Sequence, residues 1–193
     1  MTTSDISLSS PNLLPEEDAQ YLCSLIRTIP DFPSAGILFR DFMPVFAHAK
    51  SMNLLIQGLI NALPVKPSEF DYIAGLEARG FLIGTALAQK LDKGFIAVRK
   101  AGKLPPPVLS QSYDLEYGAA TMEIEKDLVE PGSRILIVDD LIATGGTAWA
   151  AMKLFESIEC SVAGFSFVME LNGLDGTSKL ENHPMSTMMV MPA

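Results

Sequence analysis

Apolar residues recur along this chain in two rhythms, and the rhythms alternate. Residues 79–91 place Ile83, Leu87 and Leu91 at i, i+4 and i+8, one face of a helix. A second helix fits residues 47–62, with Leu55, Leu59 and Ile60 on one side and Pro64 and Pro67 closing it. Pro15, Glu16 and Glu17 open another, predicted to run to about Thr28. Proline suits a first helical turn, and carboxylates suit its dipole end. A fourth is predicted at 146–158. Short apolar runs lie between them and read as buried strands at 72–76, 95–98, 135–138 and 161–169, with one more at 185–191. Ile135-Leu136-Ile137-Val138 is wholly apolar, as a central parallel strand is. Residues 121–126 alternate instead. Met122 and Ile124 fall on one face, Glu123 and Glu125 on the other, which predicts a half-exposed strand.

Strands separated by helices imply right-handed crossovers and an α/β fold, a mostly parallel sheet with helices on both faces. Ligands of such sheets sit at the carboxyl ends of the strands. Two stretches stand outside the alternation. Residues 1–14 are rich in Ser, Thr, Asn and Asp and predict a loose tail. Residues 100–119 carry Gly102, Pro105, Pro106, Pro107 and Gly118 and predict a long loop, of the kind that is functional in compact domains. The Pro-Pro-Pro run should stiffen that loop toward polyproline II.

A length of 193 residues predicts a single domain over 1–193, and 48% hydrophobic with 19% charged residues fits a compact globular chain. The net charge of -9 argues against a broad nucleic-acid surface and leaves room for a small anionic substrate. Cys23 and Cys160 read as reduced thiols, and His48 and His183 are too few and too isolated for a metal site. No basic-then-apolar leader and no apolar run near the ~18 residues of a membrane span is present, so a cytoplasmic chain without a membrane partner is expected.

The chemistry concentrates after Val138. An apolar strand runs into Asp139 and Asp140, and a Thr144-Gly145-Gly146-Thr147 turn then leads into a helix. Backbone N–H groups at a helix start have no intrahelical partner, and the peptide dipoles favour an anion there. Glycines let the backbone approach closely, and the threonines add hydroxyl donors. Ala143 to Thr147 can therefore cradle one phosphate, with two carboxylates nearby to accept hydrogen bonds from vicinal hydroxyls such as those of a ribose. The residues match neither the dinucleotide fingerprint nor the P-loop. A plain helix cap with two surface aspartates, or a carboxylate pair for a hard cation, are the other readings of the same residues.

Val138-Asp139-Asp140-x-x-Ala143-Thr144-Gly145-Gly146-Thr147 resembles the phosphoribosyl pyrophosphate signature of the type I phosphoribosyltransferases. Further segments resemble the adenine phosphoribosyltransferases within that family. They are Pro30-Asp31-Phe32-Pro33 with Gly36 and Phe39-Arg40-Asp41; residues 71–81; Arg99 to Pro105; Leu115-Glu116-Tyr117-Gly118; and Met169-Glu170-Leu171 with Lys179-Leu180. The likeness covers roughly residues 20–181 in order. The adenine subclass rests on Phe39-Arg40-Asp41 and Leu115 to Gly118, because the phosphate motif is shared more widely.

The resemblance implies a Rossmann-like, mostly parallel sheet flanked by helices, with a small N-terminal hood at about 30–42 and a mobile catalytic loop at about 100–119. It implies purine salvage: transfer of a phosphoribosyl group from phosphoribosyl pyrophosphate to adenine, giving AMP and pyrophosphate. Ala143, Thr144, Gly145, Gly146 and Thr147 would hold the 5′-phosphate, and Asp139 and Asp140 the ribose hydroxyls. Arg79, with the backbone of Glu77 and Ala78, would hold the pyrophosphate, and a cis peptide is expected at Glu77–Ala78. Arg99, Lys100 and Lys103 would add positive charge over the leaving group. Glu116 would assist proton transfer at the purine, and Tyr117 would cover the sugar. Leu38, Arg40 and Leu171 would form the adenine pocket, Arg40 largely through its backbone; a structural salt bridge from Arg40 to Asp41 is the competing reading. Mg²⁺ would arrive on the pyrophosphate with no direct protein ligand, and the chain would form a homodimer. Ala78 and Pro106 depart from the family's usual Ser and Gly. Transfer to another base, a sensor that binds without catalysis, and a purely structural α/β sheet are the rival readings.

Overall fold

The computed structural model describes residues 5–114, 119–180 and 182–192. In chain order the elements are β1 (Ser7–Leu8), α1 (Glu16–Leu25), β2 (Arg27–Pro30), β3 (Leu38–Asp41), α2 (Met43–Phe46), α3 (Ala49–Ala62), β4 (Tyr72–Leu76), α4 (Arg79–Leu91), β5 (Gly94–Lys100), β6 (Val108–Asp114), β7 (Ala119–Glu125), β8 (Arg134–Ile142), α5 (Gly146–Glu156), β9 (Ser161–Asn172) and β10 (Met185–Pro192). The main sheet runs β1-β10-β9-β8-β4-β5-β7-β6, and β2 pairs with β3 in a separate antiparallel ribbon. Strands β10, β9, β8, β4 and β5 are mutually parallel; β1 pairs antiparallel with β10 at one edge, and at the other β7 pairs antiparallel with both β5 and β6.

The apolar run at 135–138 is continuous because both faces of β8 are covered. Leu136 and Val138 belong to a core shared with Leu55, Leu59, Ile83 and Leu87 of α3 and α4. Ile135 and Ile137 belong to a second core shared with Ala151, Leu154 and Phe155 of α5. Helix α4 spans the predicted residues and ends on Asp92, in the left-handed region at φ 54.

Several expectations are corrected. The stretch 1–14 is not a loose tail over its described part. Ser7 and Leu8 pair with Val190 and Met189, and Ile6, Leu13 and Leu14 are buried. Helix α1 stops at Leu25, because residues 27–30 are taken into the ribbon opposite 38–41. Within the stretch 100–119, residues 108–114 form β6, which pairs with β7 from Val108↔Glu125 to Asp114↔Ala119. Its polar Ser110-Gln111-Ser112 conceals the strand, which lies at a sheet edge. The Pro106–Pro107 bond is cis. Glu123 is buried, not solvated, and accepts hydrogen bonds from the Gly102 N–H at 2.8 Å and the Ser110 hydroxyl at 3.1 Å. The strand expected at 185–191 does form, as β10, with Met188, Met189 and Met191 in the core.

Candidate active site

Strand β8 does not end at the two aspartates. It continues to Ile142, because the twelve residues of β9 offer partners as far as Asp139↔Phe167, Leu141↔Met169 and Ile142↔Glu170. Asp139 and Asp140 thus sit within the paired strand, with their carboxyl groups close to one another. The turn after them is built on Gly145, which caps α5 at φ 72, in the left-handed region. A second glycine backs it. A Cβ on Gly145 would lie 2.1 Å from the Gly176 carbonyl oxygen, and one on Gly176 would lie 2.0 Å from that of Ala143. Leu76, Asp139, Ala143, Thr144, Gly145, Gly146, Thr147 and Phe167 line one hollow of about 170 Å³. The predicted phosphate turn and the first aspartate therefore share a cavity.

The two carboxylates differ in state. Burial pushes the Asp139 carboxyl well above the usual range, and the neighbouring Asp140 charge adds to this; the Asp140 N–H, 2.9 Å from Asp139 Oδ1, opposes it. Asp140 is paired with Arg79 through that residue's Nε. Arg79 opens α4, 37% exposed in its side chain, with its guanidinium 5.7 Å from the Phe39 ring centre. A helix start disfavours a cation, so Arg79 stands there held by Asp140.

The Glu77–Ala78 peptide is cis, as expected. The Glu77 carboxylate is engaged within the protein, accepting from the Lys100 N–H at 2.8 Å and Arg99 Nη2 at 3.2 Å. Although burial alone would raise it, those two partners hold its carboxyl below the ordinary value. Arg99 also donates to the Lys103 carbonyl at 3.0 Å. Arg99, Lys100 and Lys103 are thus brought beside the turn, with Arg99 acting there as a brace. Glu116 and Tyr117 lie outside the described residues.

The hood is placed less simply. Leu38 is exposed on β3, and Leu171 lies half-buried near the end of β9. The Arg40 side chain is buried and turned away from the phosphate turn, onto both carboxylate oxygens of Asp5 at 3.0 and 2.6 Å and the Thr28 hydroxyl at 2.5 Å. The alternative of an Arg40–Asp41 bridge is not formed; Asp41 pairs with Arg27 across the ribbon. The hollow on the other face of β3, about 360 Å³, is lined by Ile29, Phe32, Phe39, Asp41, Phe42, Met43 and Arg79. Sequence reading missed those apolar residues and Gly176. The period-two alternation of β3 was the available signal for Phe39; nothing local marks Gly176.

A family model described as the phosphoribosyl transferase domain matches residues 47–188. The adenine phosphoribosyltransferase of Bifidobacterium adolescentis is 62% identical over 193 residues, covering 100% of each chain. The chain belongs to the adenine phosphoribosyltransferase family. Among adenine phosphoribosyltransferases of solved structure, that of Thermoanaerobacter pseudethanolicus is 47% identical with a TM-score of 0.84, covering 89% of this chain and 98% of its own. That of Saccharomyces cerevisiae, complexed with an imino-altritol bisphosphate and adenine, is 47% identical with a TM-score of 0.80, again over 89% and 98%. Among the described residues no group of three or more His, Cys, Asp or Glu could hold a metal ion, and no helix is long and apolar enough to cross a membrane.

Proposed function

We propose that this adenine phosphoribosyltransferase binds the 5′-phosphate of phosphoribosyl pyrophosphate in the 143–147 turn and displaces pyrophosphate with adenine, giving AMP. The observation that carries this reading is the hollow shared by Asp139 and the Gly145-Gly146 turn, an anion cradle with a hydroxyl-accepting carboxylate at its side. Asp139 and Asp140 would accept from the ribose hydroxyls. Arg79 would leave Asp140 for the pyrophosphate, a ribose hydroxyl taking its place. Lys100 and Lys103 would add charge over the leaving group. Mg²⁺ would belong to the substrate in this scheme, carried on the pyrophosphate oxygens.

At the anomeric carbon the bond to pyrophosphate oxygen breaks and a bond to adenine nitrogen forms, with inversion. Positive charge develops on the ribose, and the pyrophosphate leaves with its electron pair. Catalysis then lies in positioning, in neutralising the leaving group and in keeping water from the activated sugar. Glu116 would take up the adenine proton, and Tyr117 would cover the sugar. The ring of Phe39 and its apolar neighbours offer a flat surface for a purine, beside Leu38 and the Arg40 backbone. A homodimer in the cytoplasm completes the proposal, and sedimentation checks the assembly.

A spectrophotometric assay of AMP formation with Mg²⁺ tests the reaction, with hypoxanthine and guanine in parallel. Product with adenine alone supports it. Tight phosphoribosyl pyrophosphate binding with no product from any base would favour a sensor. Glu116→Gln should lower kcat far more than it changes KM; an unchanged kcat removes Glu116 from the mechanism.

A further inference from the structure

We propose that Tyr113 is a positioning residue for the substrate's 5′-phosphate, acting through the hydroxyl of Thr147; this rests on the reading that the 143–147 turn holds that phosphate. Tyr113 lies near the end of β6, and its phenol oxygen stands 3.0 Å from Thr147 Oγ1. Thr147 is the second residue of α5 and lines the phosphate hollow. The contact therefore joins the edge hairpin to the anion cradle.

The direction of the hydrogen bond decides what the contact does. A threonine hydroxyl has one hydrogen and two lone pairs, and a phosphate dianion only accepts. Thr147 gives its hydrogen to phosphate only if the phenol donates to Thr147. The phenol is the more acidic of the two hydroxyls and is the better donor. Donation by Tyr113 leaves the Thr147 hydrogen available and polarises it, so the chain Tyr113 to Thr147 to phosphate is strengthened at each step. Helical threonine otherwise divides between two χ1 rotamers. The phenol selects one of them before the ligand arrives, which removes an ordering cost from binding.

The molecule contains its own reporter. Its single tryptophan, Trp149, lines a hollow of about 390 Å³ together with Ser112, Tyr113, Gly146 and Lys179. A change in how β6 rests on α5 alters the surroundings of that indole.

The test uses the full chain and ribose 5-phosphate, which carries the 5′-phosphate without pyrophosphate. Calorimetry should show binding to the wild type, weakened about fivefold in Tyr113→Phe, the size of one ordinary hydrogen bond. Thr147→Val, which removes the same bond from the other side, should weaken binding at least as much, and the double variant no further. The Trp149 emission change on adding ribose 5-phosphate should shrink in Tyr113→Phe, and KM for adenine should stay constant. Thr147→Ser, which keeps the hydroxyl, should bind as the wild type does, and adding Tyr113→Phe to it should weaken binding by the same factor of about five. Wild-type binding that is unchanged or tighter in Tyr113→Phe overturns the role of Tyr113 and leaves the phosphate site standing. Additive losses in the double variant overturn it as well. No binding to the wild type overturns the phosphate site itself.

Discussion

Asp139 is a carboxylate the fold holds at a cost. Its carboxyl is raised by burial and by the Asp140 charge, so the folded state favours the protonated form. Stability from this group is greatest below the ordinary carboxylate value and falls as pH rises through the raised one. The ionised form of this group therefore opposes folding. Asp139→Asn keeps the oxygen that accepts the Asp140 N–H. This variant should raise Tm at pH 7 by about 2–4 °C, the shift of ~1 kcal/mol in a chain this size. Differential scanning calorimetry should show the gain shrinking as pH is lowered, while KM for phosphoribosyl pyrophosphate rises at least tenfold. At this scale the sequence was legible where partners are local. Asp139 and the Gly-Gly turn, which line one hollow, stand within a few positions of each other in the chain. The partner of Arg40 was not legible, because Asp5 stands 35 positions away and only the folded hood brings it near.

The glycine turn after β8 is built from two segments of the chain. Residues 143–147 form the turn, and Gly176 packs so close behind it that a Cβ on Gly145 or Gly176 would clash. Gly176→Ala would place a Cβ on the Ala143 carbonyl and must push the turn open. KM for phosphoribosyl pyrophosphate should rise more than tenfold, with the adenine KM nearly unchanged; steady-state kinetics with each substrate varied separates the two. A different contact fastens the sheet's amino ends. Asp71 accepts from the Arg134 N–H, Nε and Nη2 at 2.8, 3.1 and 2.7 Å, joining the starts of β4 and β8. Those bonds hold its carboxyl at about 2, below its unfolded value. Its stabilisation is complete above pH ~4 and disappears as pH falls through about 2. Acid titration followed by circular dichroism should show Asp71→Asn losing stability at neutral pH and responding less to acid between about pH 4 and 2. The edge hairpin was hidden at this scale. A strand at the rim with Ser-Gln-Ser on it lacks the apolar run that betrays a central strand.

At the scale of the molecule, the residues before α1 act as a strap. Ile6, Leu13 and Leu14 are buried in the main core, β1 extends the sheet past β10, and Asp5 holds Arg40 of the hood. Removing residues 1–14 should lower Tm by ten degrees or more, since each buried aliphatic contributes ~1.5–3 kcal/mol as an upper bound. The adenine KM should also rise, because Arg40 loses its partner. A thermal melt and adenine kinetics on the shortened chain check both; an unchanged melt would return this stretch to the status of a tail.

Periodicity and local chemistry were enough for the alternating α/β order, the extent of α4, the buried centre of the sheet and the glycine turn after β8, because each depends on residues within a few positions of one another. Other features waited for the folded chain: how far β8 continues, which carboxylate pairs with Arg79, where Arg40 turns, what stands behind Gly145 and what touches Thr147. Each is set by residues distant in the chain, whose meeting depends on strand order, register and packing. Periodicity within one element carries no record of which other element will lie against it.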